Sequence, residues 1–153
     1  MLIKNACELR MLQFEIFGVP IPQKRPRATR RGEFIKVYDA QGTEKTKIKW
    51  QIKSLYREEP LACPLFVDIT YFLPIAKSIT KRNRAEMLAN IQPHTKKPDV
   101  DNMIKWSFDC LNDIVFEDDS QIVEVRARKR YSTEPRTVIR IYKMEEIKDE
   151  IHS

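Results

Sequence analysis

Five polar residues in this 153-residue chain have the types and spacing to do phosphoryl chemistry. Asp99 and Asp101 stand two apart where a loop gives way to a helical pattern, and Lys105 follows one helical turn later on the same edge. In an extended segment, residues i and i+2 point the same way, so both carboxylates can face one site. Pro98 biases Lys97 away from helix and keeps the approach extended. Asp118 and Asp119 come just past that helix, before the next strand, and could return a third carboxylate. Carboxylate oxygens without His or Cys suit Mg²⁺, with Mn²⁺ as the alternative, and do not suit zinc. Each residue also has a structural role open to it. Asp101 could be a helix cap, Asp118 and Asp119 a turn, and Lys105 an ion-pair partner of Asp101 or Asp109. Asp109 could serve the pocket or a structural hydrogen bond.

The charge pattern frames these residues. The chain carries a net +6, a weak signal taken alone. Its distribution says more. Residues 24–57 hold eleven Lys/Arg against three Asp/Glu, residues 77–97 six against one, and residues 126–143 seven against one. Residues 99–124 invert this, with eight acids and one base, Lys105. A purely electrostatic DNA binder gains nothing from carboxylates beside phosphates. A nuclease does, because they hold the ions that activate a phosphodiester. An acidic surface helix would give the same pattern. Three scattered cysteines (Cys7, Cys63 and Cys110) and two histidines form neither a zinc motif nor a disulfide framework. No run approaches the ~20 apolar residues of a membrane span. Residues 1–10 lack a signal-peptide core, so the expected compartment is the cytoplasm.

The elements that must position the acids are legible in outline. Residues 12–19 alternate as a strand ended by Pro20 and Pro22. Residues 23–32 form a basic loop with Lys24, Arg25, Arg27, Arg30 and Arg31. A short strand follows at 34–38, where Phe34 and Tyr38 are expected to pack in the core. Ile48, Ile52 and Leu55 mark a helix over 40–57. Residues 65–73 are a strand, and 78–90 a helix that Thr80 could cap. Residues 91–98 form a loop, and 101–113 a helix with Ile104, Phe108, Leu111 and Val115 as its core stripe. Strands at 122–130 and 135–143 could pair as a hairpin across 131–134. This order predicts an α+β single domain, a mixed sheet of about four strands with helices packed on one face. The domain spans 12–144, after an N-terminal extension at 1–11 and before an acidic tail at 145–153. Met11 is an alternative start.

The run Lys97-Pro-Asp-Val-Asp-Asn-Met-Ile-Lys-Trp-Ser-Phe-Asp-Cys-Leu-Asn112, followed by Asp118-Asp-Ser-Gln-Ile122, closely resembles the motif of the RusA Holliday-junction resolvases. Gly18-Val-Pro-Ile-Pro-Gln-Lys-Arg-Pro-Arg27 resembles their strand-and-basic-loop entry. The likeness covers about residues 12–143. Cys110 departs modestly from the Ala common at its position. The resemblance implies a homodimer that binds four-way DNA junctions and cuts them symmetrically with Mg²⁺. Carried over by motif position, the catalytic and metal-binding aspartates are Asp99, Asp101 and Asp119, and the essential lysine is Lys105. Asp118 matches less well. The basic loop, Lys24 to Arg31, and the basic faces of 45–57 and 126–130 would neutralise backbone phosphates. Two other functions stay open: a nuclease that prefers flaps or forks, and a non-catalytic DNA-binding module on the same fold.

Overall fold

The computed structural model describes residues 2–6, by their backbone, and 11–145. Five strands form one sheet: β1 (Leu2–Ala6), β2 (Met11–Phe17), β5 (Leu65–Pro74), β6 (Ile122–Ser132) and β7 (Arg136–Lys143), in the order β1-β2-β7-β5-β6. β3 (Arg27–Arg31) and β4 (Phe34–Tyr38) form a separate two-stranded ribbon. The helices are α1 (Gly42–Leu55), α2 (Lys81–Leu88) and α3 (Val100–Leu111). The mixed sheet and α+β class are those expected, with β1 as a fifth strand along β2. The acidic tail beyond Glu145, and Cys7, lie outside the described residues.

The expected hairpin between the last two strands does not form. β5 lies between them, antiparallel to β7 and parallel to β6. The reason is hydrophobic. Val67, Ile69, Tyr71 and Leu73 of β5 are almost wholly buried, and the most apolar strand gains most from a position flanked by strands on both sides. Each such side chain is worth about 1.5–3 kcal/mol when buried. β6 is left at the sheet edge, where Arg126, Arg128, Lys129 and Arg130 blunt it against strand addition.

One face of the sheet carries the core. Phe14, Val67, Ile69, Tyr71, Ile139 and Ile141 meet Ile52 and Tyr56, and Met103, Trp106, Cys110 and Leu111 of α3. The core stripe of α3 is therefore rotated from the expected one. Met103, Trp106, Ser107, Cys110 and Leu111 are buried, while Ile104 and Phe108 are half-buried beside them. The buried Tyr71 hydroxyl and Ser107 Oγ share a hydrogen bond of 3.0 Å, and Ser107 Oγ also donates to the Met103 carbonyl at 2.9 Å. This polar contact fixes the rotation of α3 and turns Asp101 and Lys105 to solvent. Burial raises the Cys110 thiol pKa to about 12, so this cysteine is an inert core residue. α2 lies against β6, and Thr80 caps it by accepting from the Asn83 N–H at 3.4 Å.

Residues 27–31, expected as loop, are a strand. They pair with β4 across Gly32 and Glu33, in register from Arg27↔Tyr38 to Arg31↔Phe34. Gly32, at φ +66°, supplies the left-handed first position of a two-residue turn. Both faces of the ribbon are solvated, so no apolar alternation marks it in the sequence.

Candidate active site at the head of the third helix

The Lys97–Pro98 peptide is cis, and Asp99 is extended at φ −75°, ψ 140°. Helix begins at Val100, so Asp99 and Asp101 do not share an extended segment. Asp99 is the N-cap residue, with no side-chain cap bond, and Asp101 lies in the first turn. The two carboxylates flank one helix N-terminus, whose partial positive charge favours anions. Asp99 is half-exposed and ion-paired with the exposed Lys97. Asp101 and Lys105 are exposed, and neither makes an ion pair among the described residues.

The loop before Asp99 is held from two sides. Lys129 Nζ donates to the carbonyls of Lys96 at 2.7 Å and Pro98 at 3.1 Å. Opposite, the Gln23 N–H donates to the Asn102 carbonyl at 2.8 Å. These contacts frame a cavity of about 490 Å³ lined by Pro22, Gln23, Lys97, Pro98, Asp99 and Asn102. Gln23 Oε1 is buried without a hydrogen-bond partner, a spare acceptor beside Asp99. Gln23 was not among the expected site residues. Its signal was its place in the motif ahead of the basic run.

Asp118 and Asp119 lie elsewhere. α3 runs from the Lys129 end of β6 towards its start, where the Leu61 N–H donates to the Val115 carbonyl at 2.9 Å. Gln121 Nε2 donates to the carbonyls of Leu61 at 2.7 Å and Cys63 at 3.1 Å, fixing the single 3-10 turn Asp119–Gln121 there. The exposed Asp119 is thus separated from Asp99 by the length of α3, roughly 18 Å for its twelve residues. Asp118 is the N-cap of the 3-10 turn, its N–H donating to Gln121 Oε1 at 2.8 Å and its backbone carbonyl accepting from the Gln121 N–H at 3.1 Å. Ser120 Oγ donates to the Asp118 carboxylate at 2.6 Å. That bond, with neighbouring backbone N–H groups, holds its carboxyl below the usual range.

Asp109 serves a structural pair. Lys45 Nζ, mostly buried, sits 2.9 Å from Asp109 and 3.0 Å from Asp39. Burial opposes its charge, but the two carboxylates outweigh that and raise its pKa. The basic face of 126–130 is also partly engaged within the fold. Arg128 pairs with Asp68 at 2.8 Å, Lys129 holds the loop, and Arg126 stands over the Phe66 ring at 6.0 Å. The side chains of Lys24, Arg25, Arg27 and Arg30 are exposed, and Arg31 lies at the end of β3. Phe34 and Tyr38, expected in the core, are 81% and 40% exposed.

Among the described residues, no three Asp, Glu, His or Cys side chains come together as a metal site. Asp99 and Asp101 alone still fit Mg²⁺. This ion is commonly held by one or two carboxylates, with waters and substrate phosphates completing its shell.

The sequence of this chain has a counterpart in a known family. The pattern of endodeoxyribonuclease RusA matches residues 18–142. The chain belongs to that family, and is therefore an enzyme that cuts DNA by hydrolysis. It is 28% identical over 123 residues to the crossover junction endodeoxyribonuclease rusA of Lactococcus phage r1t, covering 76% of this chain and 85% of that protein. It is 32% identical over 137 residues to YqaN, an uncharacterized protein of Bacillus subtilis (strain 168), covering 85% of this chain and 94% of that one. No helix among the described residues is long and apolar enough to cross a membrane.

Proposed function

We propose that this nuclease resolves four-way DNA junctions in the cytoplasm, as a Mg²⁺-dependent homodimer, with Mn²⁺ as a substitute ion. The observation that carries the reading is the pair Asp99 and Asp101 at the α3 N-terminus, with the exposed Lys105 one turn on and cations on the adjoining loop. Asp99 and Asp101 hold the ion. When bound, Mg²⁺ would polarise the scissile phosphate and ease deprotonation of the attacking water. Water's oxygen ends on phosphorus, the P–O ester bond breaks, and a proton passes to the leaving alkoxide. Lys105 offsets the charge that develops on the phosphate. Lys24, Arg25, Arg27, Arg30 and Arg31 neutralise backbone phosphates, which gives affinity without sequence readout.

Asp119 enters through the dimer. It lies too far from Asp99 to share an ion with it inside one protomer. A two-fold pair of chains can bring Asp119 of one protomer to Asp99 and Asp101 of its partner, twice. The core of the domain is 12–144.

The first test is a synthetic mobile four-way junction incubated with and without Mg²⁺, with the cuts mapped. Paired symmetric cuts only with the ion support the proposal. Cutting of flaps or forks with the junction left intact would replace it. The second test mixes Asp101→Asn with Asp119→Asn protein. In the mixed dimer one of the two sites keeps all three carboxylates, so nicking returns. A mixture as inactive as its components removes the shared site.

A further inference from the structure

We infer that the β3–β4 ribbon is a branch-point wedge: Phe34 stacks on bases opened at a DNA branch while the ribbon's cations hold the flanking phosphates. The inference rests on the DNA-branch reading above and adds the element that would recognise the branch. Three observations carry it.

The first is uncovered apolar surface. Phe34 is 81% exposed, Ile35 69% and Val37 64%. Along β4, Phe34, Lys36 and Tyr38 share one face, and Ile35 and Val37 the other. A two-stranded hairpin is at best marginally stable in water. Leaving aromatic and β-branched side chains in solvent on both faces gains nothing for folding, so the ribbon is built for a ligand.

The second is charge. Residues 27–38 hold four Lys/Arg against one acid, Glu33. A second copy of the ribbon would set like charges against each other, whereas a polyanion matches them. Flat aromatic surface interleaved with cations is the pattern that binds unpaired bases, because every base offers a π-face.

The third is attachment to the active site. Gln41 is 1% exposed and latches both stems of the ribbon. Its Oε1 accepts from the Lys24 N–H at 2.7 Å, its Nε2 donates to the Pro22 carbonyl at 2.9 Å, and its own N–H donates to Asp39 at 2.9 Å. From that base, Lys45 ties Asp39 to Asp109 of α3, and the Gln23 N–H reaches the Asn102 carbonyl. The stem is thus joined to the helix that carries Asp99 and Asp101. Its five-residue strands extend about 17 Å from there to Phe34, some five base steps along DNA.

The experiment uses full-length Asp101→Asn protein, which should bind branched DNA without cutting it, and a junction with 2-aminopurine at the branch or ten base pairs into one arm. Binding should raise the fluorescence of the branch probe alone. Phe34→Ala should remove that rise and weaken junction binding about tenfold, leave binding to linear duplex unchanged, and lower single-turnover cutting in the otherwise native chain. Phe34→Trp should restore all three. An undiminished rise with Phe34→Ala, or no rise with a tightly bound junction, overturns the wedge and leaves the nuclease reading standing. A Phe34→Ala protein that loses its dimer in sedimentation, or binding to anionic vesicles but not to DNA, also overturns it by giving the ribbon another occupant. If flaps or forks replace junctions as the substrate, the same probe at their branch decides the wedge separately from the choice of substrate. Failure to bind any branched DNA overturns both readings.

Discussion

Two acid–base neighbourhoods lie two turns apart along one edge of α3, and they are built in opposite ways. At Asp109 the carboxylate meets a mostly buried Lys45, which a second carboxylate, Asp39, also holds. At Asp101 the carboxylate and its helical neighbour Lys105 both stand in solvent, and Asp101 has a second anion, Asp99, two residues away. The first arrangement is complete as it stands and strengthens the packing of α1 on α3. The second gives the folded chain little, because adjacent carboxylates repel and exposed helical pairs are worth only tenths of a kcal/mol. Charge is satisfied within the chain at Asp109, whereas on the proposed reading the charge left at Asp101 and Lys105 serves a cation and a phosphate.

That contrast can be broken most directly at the aspartates. Asp99→Asn and Asp101→Asn should each cut single-turnover cleavage by more than about 100-fold while junction binding and melting temperature hold. A cleavage time course and a gel shift on the same protein read both quantities, and native cutting by either variant removes that residue from the site. Lys105→Ala should lose about 100-fold in cutting with little change in Kd. If it cuts normally once bound, Lys105 is only a surface cation. Replacing Arg25, Arg27, Arg30 and Arg31 together should do the reverse, losing affinity first and flattening its salt dependence by roughly 0.9 in slope per lost phosphate contact. An unchanged slope would put DNA on another surface.

The Asp109 side sharpens the contrast by its smaller effect. Lys45→Met should cost about 1 kcal/mol of stability, reduced by the half-exposure of both carboxylates, and leave the metal requirement unchanged. The pH dependence has a definite sign. Asp39 is held below its ordinary 3.8, first by the Gln41 N–H and then by Lys45. Its contribution is present above that pH and is lost as pH falls through the lowered folded value. Lys45 is raised above 10.5, so its contribution is lost as pH rises through the higher folded value. The stability gap between native and Lys45→Met protein should therefore be flat from about pH 5 to 9 and shrink beyond both limits. Thermal melts across that range check it. A gap that varies through neutral pH would point to a different partner for Lys45.

Sequence by itself determined the local elements and the residues that could carry chemistry. Thr80 marked the start of α2, the β-branched run marked β5, and Asp99, Asp101 and Lys105 stood out because short spacings on one helix end survive folding unchanged. The motif in which they sit was specific enough to point to the family. Only the tertiary structure decided what lies far apart in the chain but close in space, or the reverse. Burial drew β5 between β6 and β7, which no local pattern encodes. Asp119 follows Asp101 by eighteen residues, but a rigid helix turns that interval into a separation at opposite ends of the domain. Lys129 stood among the cations of a phosphate-binding face, and Asp109 stood open between the pocket and a structural hydrogen bond, until the fold supplied the carbonyls and the lysine that hold them. β3 carried no period because neither of its faces is buried. Periodicity records burial, so a sequence shows which residues the core claims and stays silent where an element faces water on both sides.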